Sequence, residues 1–132
     1  MKLFCDTSGL YAVLDQDDEN HRRAAPAWSG MLDSAESLIT SNYVVIETVA
    51  LLQHRIGMNA VRAFQSELLP ALHTVFVDEN LHRRGMAALL TAGRRRVSLV
   101  DCVSFAMMLH LGLTDAFAFD VHFRQQGFAT IP

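Results

Sequence analysis

The chain has 132 residues, 51% of them hydrophobic, and only ten are glycine or proline. This composition excludes a disordered or collagen-like chain and predicts one domain over residues 1–132. No apolar run is long enough for a transmembrane helix, and Asp6 interrupts the N-terminus before a signal peptide could form, so we expect a cytoplasmic protein without a membrane partner. The net charge of −3 gives the chain as a whole no basic footprint for nucleic acid.

Short apolar runs alternate with helical patterns along the chain. In chain order we predict a strand over Lys2–Cys5, helices over Ser8–Leu14 and from Asn20, a strand over Ser37–Thr40, helices over Tyr43–Ile56 and Asn59–Leu69, a strand over Leu72–Val77, helices over Glu79–Thr91 and Ser98–Leu111, and strands over Ala116–Phe119 and Phe128–Ile131. Strands that alternate with helices form βαβ units. The predicted fold class is therefore α/β, a three-layer α/β/α sandwich with a short, mainly parallel sheet.

Residue types at the helix ends support these boundaries. Asn20 is a candidate cap for the second helix, which Pro26 should bend or restart. Asn42 is the candidate N-cap of the third helix, and Gly57 is its expected stop. Residues 98–101, Ser-Leu-Val-Asp, match a capping box at the start of the last long helix.

Four acids occupy positions where a charge is unfavourable. Asp6 and Asp120 each follow an apolar strand, Asp101 precedes a run of apolar residues, and Glu47 is the only charged residue between Tyr43 and Leu52. We place Glu47 and Asp101 in the first turns of their helices. Because strand ends and the helix starts that follow them share one edge of a parallel sheet, we expect all four acids to converge there.

Four neighbouring carboxylates would repel each other in a low-dielectric site, and a hard divalent cation, Mg²⁺ or Mn²⁺, removes that repulsion. Each acid also has a structural explanation. Asp101 could serve simply as a capping residue of its helix, and Asp6 and Asp120 could be ordinary turn residues. Glu47 could pair with Arg55 or another arginine.

The cations are almost all arginines, with Lys2 as the single lysine among eleven. The cluster Arg94, Arg95 and Arg96 is the best candidate for a phosphate contact, although a solvated helix face would explain it too. Outside the four acids, the chain has 11 cations and 10 acids. A site neutralised by divalent ions would therefore not repel a polyphosphate.

The segments around these acids resemble the PIN-domain nucleases in the order and spacing of the acids. They are Cys5–Ser8, Ser41–Glu47, Ser98–Phe105 and Ala118–Phe123. The resemblance covers essentially the whole chain, and the most similar subgroup is the VapC-type toxins of prokaryotic toxin–antitoxin pairs. It implies a PIN-like fold and a divalent-metal-dependent endoribonuclease that is often a homodimer and often inhibited by a small antitoxin protein.

The resemblance also implies roles for individual residues. Asp6, Glu47, Asp101 and Asp120 would form the catalytic set, in which Asp6, Asp101 and Asp120 bind Mg²⁺ or Mn²⁺. Thr7 or Ser8 would supply a hydroxyl that supports the first acid. His122 follows Asp120 closely enough to approach a phosphate, although a packed or surface histidine is the commoner arrangement.

The expected reaction is metal-assisted hydrolysis of an RNA phosphodiester bond, preferably in single-stranded or looped RNA. A haloacid-dehalogenase-like phosphatase needs a second aspartate where Ser8 stands, and a response-regulator receiver domain needs a lysine near its last strand. A non-catalytic interaction module that retains a vestigial acid rim stays an alternative. Candidate apolar patches for a homodimer are Met58–Leu69 and the segment with Trp28, Met31 and Leu32.

Overall fold

The computed structural model describes residues 1–34 and 36–132. In chain order its elements are β1 (Lys2–Cys5), α1 (Thr7–Leu14), α2 (His21–Asp33), β2 (Ser37–Ser41), α3 (Asn42–Arg55), α4 (Met58–Ala63), β3 (Leu72–Val75), α5 (Glu79–Ala92), α6 (Leu99–Leu111), β4 (Asp115–Phe117), α7 (Val121–Gln125) and β5 (Ala129–Ile131). A π-helical turn over Phe64–Leu68 and a 3₁₀ turn over Leu69–Ala71 connect α4 to β3. Across the described ranges, no helix has the length and apolar character that a membrane crossing requires.

All five strands are parallel and lie in the order β3-β2-β1-β4-β5. Strand β1 is central, and its Leu3, Phe4 and Cys5 are fully buried although successive side chains point to opposite faces. Helices therefore cover both faces of the sheet, which confirms the predicted three-layer α/β fold. The strand order reverses between β1 and β4, and in open α/β sheets ligands bind at the carboxyl ends of strands beside such a reversal.

Aromatic side chains fill the core around β1 and β4. Trp28 packs against Phe117 with ring centroids 6.1 Å apart, and Phe105 meets Phe123 edge to face at 4.9 Å. Of the predicted patch, Leu32 is exposed, but Trp28 and Met31 are buried, so the prediction is wrong for these two residues. The periodic apolar positions of α2 face the sheet instead.

Two helix starts differ from the prediction. Ser41, not Asn42, caps α3, because the Ser41 hydroxyl accepts a hydrogen bond from the backbone N–H of Val44. The Asn42 amide oxygen instead accepts a bond from the backbone N–H of Val77 at 2.7 Å. Because the Val77 N–H donates to this side chain, it is not available to a neighbouring strand, and β3 ends at Val75 rather than at Val77.

Helix α2 also departs from the expected pattern. It runs unbroken from His21 to Asp33 and does not restart at Pro26. Pro26 is exposed, so water can replace the hydrogen bond that the proline removes. Asn20 stands at the start of α2, but its side chain makes no capping hydrogen bond.

The last two strands are shorter than predicted. Strand β4 ends at Phe117, because the backbone N–H groups of Phe119 and Asp120 both donate to the Ser8 hydroxyl, at 3.0 and 3.3 Å, instead of joining the sheet. Asp120 then begins α7, a helix of five residues that the sequence pattern did not indicate. Strand β5 begins at Ala129 rather than at Phe128.

A close approach of backbone to backbone brings α1 onto β4. A Cβ atom at Gly9 would lie 2.7 Å from both the carbonyl oxygen and the ring of Phe117. Only glycine fits at this position without a shift of the backbone. The contact fixes the start of α1, which directly follows Asp6, against the strand on the other side of the order reversal.

We expect Gly9→Ala to lower the free energy of unfolding by about 1–3 kcal/mol, because the added methyl group overpacks the contact with Phe117. Denaturant unfolding followed by circular dichroism measures this change. Gly30→Ala is the matched control, since Gly30 lies in α2 with no atom within 4 Å of its added Cβ, and there alanine should stabilise by up to about 1 kcal/mol. Equal stability of Gly9→Ala and the unmodified chain would contradict the packing argument.

Candidate active site

A cleft of about 390 Å³ lies at the carboxyl edge of the sheet, beside the strand-order reversal. All four predicted acids line it, and so do the predicted supporting residues Thr7 and Ser8. The lining also includes Tyr11, Asn20 and Arg55, which sequence reasoning did not assign to the site. The convergence expected from strand ends and helix starts is therefore present in the structure.

Asp6 is the most deeply buried of the four acids, with 3% of its surface exposed. Its Oδ2 atom accepts hydrogen bonds from the Ser8 hydroxyl at 2.6 Å and from the Ser8 backbone N–H at 3.1 Å. Its Oδ1 atom is buried and accepts no hydrogen bond from the described residues. The pKa of Asp6 is raised to about 7, chiefly by burial; the bonds from Ser8 oppose this rise, and the nearby charges of Asp101 and Glu47 add to it.

The three aspartates share one arrangement, in which one carboxylate oxygen secures a helix start. Asp6 caps α1, Asp101 accepts the Ser98 N–H at 3.0 Å in the predicted capping box of α6, and Asp120 accepts the His122 N–H at 2.9 Å to cap α7. Each aspartate retains a second oxygen for the cleft. The structural explanation of Asp101 as a capping residue is thus correct and compatible with a place in the site.

Burial first raises the pKa of Asp101 as well, and the charge of Asp120 raises it further. The bonds from Ser98 and the charge of His122 act in the opposite direction. Glu47, Asp101 and Asp120 therefore each make ionisation of at least one neighbouring acid less favourable, as expected for carboxylates that share a site.

Glu47 lies in the second turn of α3, as its sixth residue, and not in the first turn as predicted. The helix is not buried all round, because Ile46 is 64% exposed. Burial raises the pKa of Glu47, the nearby Thr7 hydroxyl lowers it, and the charges of Asp101 and Asp120 raise it.

The suggested ion pair of Glu47 with Arg55 is absent among residues 1–34 and 36–132. The Arg55 guanidinium instead lies 5.3 Å from the centroid of the Tyr11 ring. Tyr11 in turn donates a hydrogen bond from its hydroxyl to Asp15. The negative charge of Glu47 is therefore available to the cleft.

Thr7 and Ser8 join the elements that carry the acids. The Thr7 hydroxyl donates to the carbonyl of Val44 at 3.4 Å and accepts from the Thr48 hydroxyl at 3.1 Å, both in α3. The Ser8 hydroxyl donates to Asp6 and accepts the N–H groups that lead into Asp120. One dipeptide thus connects the first acid to the elements of two others.

His122 lies in the carboxylate cluster. Potential ligand atoms of Asp101, Asp120 and His122 all lie within 4.8 Å of one another, and His122 Nδ1 is 2.7 Å from Asp120 Oδ1. Asp6 and Glu47 line the same cleft but lie outside this close set. The sequence offered His122 as a candidate phosphate contact, and in the structure it also presents a potential ligand atom beside those of Asp101 and Asp120.

The three clustered arginines separate in the structure. Arg96 lines the cleft, Arg94 lines a different groove beside α5 and α6, and Arg95 is exposed. Arg55 accompanies Arg96 in the cleft. The sequence could have indicated the position of Arg55, because Glu47, Leu51 and Arg55 follow one another at four-residue spacing on α3. All three line the cleft.

The residues present fit a hard divalent cation. Carboxylate oxygens dominate the donor set, as Mg²⁺ and Mn²⁺ require. The buried and unpartnered Oδ1 of Asp6 is an atom that a cation would satisfy, and the raised pKa values mark a repulsion that a cation would relieve.

The fold and this acid set agree with a family match. Residues 3–129 match the model of the PIN domain family, and the chain belongs to that family. Membership decides against the phosphatase and receiver-domain alternatives. Among characterised proteins, the chain is similar to the 23S rRNA-specific endonuclease VapC20 of Mycobacterium tuberculosis (strain H37Rv), with 32% identity over 130 residues, 98% of this chain and 97% of the relative.

Solved structures give the same picture. The crystal structure of Mycobacterium tuberculosis VapC20, described as a Sarcin-Ricin loop cleaving toxin, superposes with a TM-score of 0.85 at 32% identity and covers 96% of each chain. FitAcB from Neisseria gonorrhoeae (TM-score 0.67, 18% identity, 100% and 97% covered) and VapBC2 from Rickettsia felis (TM-score 0.68, 9% identity, 98% and 97% covered) share the fold.

We expect the metal-free protein to lose stability as pH rises. The folded state holds the Asp6 proton up to a pKa of about 7, whereas the unfolded chain releases it near the ordinary pKa of an aspartate, 3.8. Between these values the folded state binds more protons, so the free energy of unfolding should fall with rising pH by up to about 1.4 kcal/mol per unit. Thermal melts in EDTA across this window measure the slope.

Asp6→Asn should flatten that pH dependence, and above pH 7 it should melt at a higher temperature than the unmodified chain in EDTA. Asp33→Asn, at an exposed carboxylate in the last turn of α2, is the matched control and should leave the profile unchanged. Identical profiles for Asp6→Asn and the unmodified chain would show that Asp6 does not carry the effect.

Proposed function

We propose that this protein is a divalent-metal-dependent endoribonuclease and the toxin of a type II toxin–antitoxin pair. The observation that carries the proposal is the buried, unpartnered Oδ1 of Asp6 in a cleft shared with Glu47, Asp101 and Asp120. The relative VapC20, named a 23S rRNA-specific endonuclease, supports RNA as the substrate. We further propose that residues 1–132 act as one nuclease domain in the cytoplasm.

The chain's residues divide the chemistry among them. Asp6, Asp101 and Asp120 would hold Mg²⁺ or Mn²⁺ through the oxygens that do not cap helices, with His122 beside them. A bound cation would polarise the scissile phosphate and acidify a water molecule. Glu47, whose pKa is raised, would accept a proton from the attacking water. Arg55 and Arg96 would offset phosphate charge in the cleft.

Two kinds of partner accompany this proposal. A small antitoxin protein would inhibit the nuclease, as in the VapC-type toxins that the sequence resembles. A second copy of the chain would form the homodimer, and an apolar groove of about 420 Å³ adjoins Glu47 and is lined by Tyr43, Ile46 and Val100. This face, rather than the buried Trp28 segment, is the surface on which dimer formation should be tested.

Cleavage of RNA by the purified protein tests the proposal directly. We expect Mg²⁺-dependent cleavage of 23S rRNA, or of a stem-loop with the sarcin–ricin sequence, and its loss in EDTA. Asp6→Asn should cleave at least about a hundred-fold more slowly, on the order of 3 kcal/mol of lost transition-state stabilisation. Calorimetric titration with Mn²⁺ should show weaker binding in the same variant.

Asp33→Asn is again the control and should cleave as the unmodified chain does. Full Mg²⁺-dependent cleavage by Asp6→Asn would remove this residue from the metal site. A protein that binds no Mn²⁺ and cuts no RNA would instead fit the vestigial interaction module.

Glu47→Gln separates a catalytic role from a structural one. The substitution removes one of four repelling carboxylates, so the metal-free variant should melt at the same temperature as the unmodified chain or higher. Its cleavage rate should fall sharply and recover in part at high Mn²⁺ concentration. Glu67→Gln, at an exposed carboxylate outside the cleft, is the control. A loss of several degrees in EDTA with unchanged cleavage per folded molecule would exclude Glu47 from the site.

A further inference from the structure

A second, smaller pocket adjoins the acidic cleft. It has a volume of about 160 Å³ and shares two lining residues, Asn20 and Asp120, with the cleft. Two arginines, Arg23 and Arg124, also line it. The acidic cleft and the smaller pocket with its two arginines therefore meet at Asp120. The two arginines form a local positive charge in a chain whose net charge is −3.

Contacts within the protein hold both arginines in place. Arg23 donates from one terminal nitrogen to the carbonyl of Pro132 at 3.2 Å, and its guanidinium lies 5.4 Å from the centroid of the Phe119 ring. Arg124 donates from Nε to the Thr130 hydroxyl at 2.7 Å. Neither arginine forms an ion pair within residues 1–34 and 36–132. Each guanidinium is thus positioned by one hydrogen bond and retains further N–H groups for a ligand.

Asn20 adds a polar group at the boundary between the cleft and the smaller pocket. It stands at the start of α2, where its side chain would ordinarily cap the helix, yet it makes no capping hydrogen bond. Asn20 lines both the cleft and the smaller pocket, and an asparagine amide can donate to a ligand that extends from one into the other.

We propose that this pocket binds a phosphate group of the RNA strand next to the phosphate that is cut. The inference rests on the proposed nuclease function and extends it to the neighbouring part of the substrate. Planar guanidinium groups with several free donors match phosphate oxygens, and side chains already held in position lose little entropy on binding. Because Arg23 covers the Phe119 ring, the pocket presents charge rather than an open aromatic face, which favours a phosphate over a stacked base.

RNA binding as a function of salt concentration tests this subsite. Labelled single-stranded RNA is titrated with Arg23→Ala and Arg124→Ala, both in the Asp6→Asn background so that the RNA stays intact. Each variant should weaken binding by up to about fivefold and reduce the slope of log K against log salt by about 0.7, the value for one phosphate contact to a single strand. Arg23→Lys should restore most of the slope, because it keeps the charge.

Arg62→Ala is the matched control. Arg62 is exposed on α4, is held by a hydrogen bond to Asn59, and lies outside the cleft and the smaller pocket. Its removal should leave affinity and slope unchanged. Thermal melts of all variants confirm that the comparison is made between folded proteins.

The outcomes separate this inference from the proposed function. In the unmodified catalytic background, Arg23→Ala and Arg124→Ala should raise KM for RNA more than they lower kcat. If both variants bind and cut RNA as Arg62→Ala does, the phosphate subsite is overturned while the nuclease function stands. This holds also if the two variants lose binding to an acidic protein, because the two arginines would then serve that protein and not RNA. If the unmodified chain neither binds nor cuts RNA, the proposed function and the subsite fall together.

Discussion

The hydroxyl of Ser8 is the contact on which the carboxyl edge of this sheet depends. It donates to Asp6 and accepts the backbone N–H groups of Phe119 and Asp120, so a single oxygen connects the end of β1 to the chain that leaves β4. The backbone N–H of Asp6 donates to the carbonyl of Phe117 at 3.1 Å, and Gly9 allows α1 to approach the same carbonyl. The residues that join the end of β1 and the start of α1 to the end of β4, beside the strand-order reversal, are therefore the same residues that position the acids.

Electrostatic repulsion opposes this construction, and helix starts compensate for it. Burial and mutual charge make ionisation of Asp6, Glu47 and Asp101 less favourable in the absence of a cation. Hydrogen bonds from Ser8 and Ser98 at the starts of α1 and α6 favour the charged forms of Asp6 and Asp101. The N–H groups at the starts of α1, α6 and α7 hold one oxygen of each aspartate in place. Potential ligand atoms of Asp101, Asp120 and His122 lie within 4.8 Å of one another without a bound ion, and Asp6 lines the same cleft, which is the preorganisation that a metal site needs.

Sequence reasoning recovered the features that follow from chain direction and hydrophobic pattern. The parallel sheet and the four acids at its edge were predictable, because strand ends and helix starts share that edge whatever the detailed packing. Local features decided by tertiary contacts were not. Asn42 loses the cap of α3 to Ser41 because Val77 needs its amide oxygen, and the five residues of α7 are too few to show a helical period. Arg23 and Arg124 are about a hundred positions apart in sequence, so only the fold shows that they share a pocket.

The double use of the three aspartates has an evolutionary consequence. A lineage that lost the need to cut RNA would still be selected to begin α1, α6 and α7 correctly, and folding alone would retain aspartate, or a residue that caps as well, at positions 6, 101 and 120. Glu47 caps no helix, and its burial together with the charges of Asp101 and Asp120 makes its ionised form unfavourable in the metal-free protein. Position 47 would therefore be the first of the four to drift, and a glutamate kept there is a better sign of catalysis under selection than any of the three aspartates.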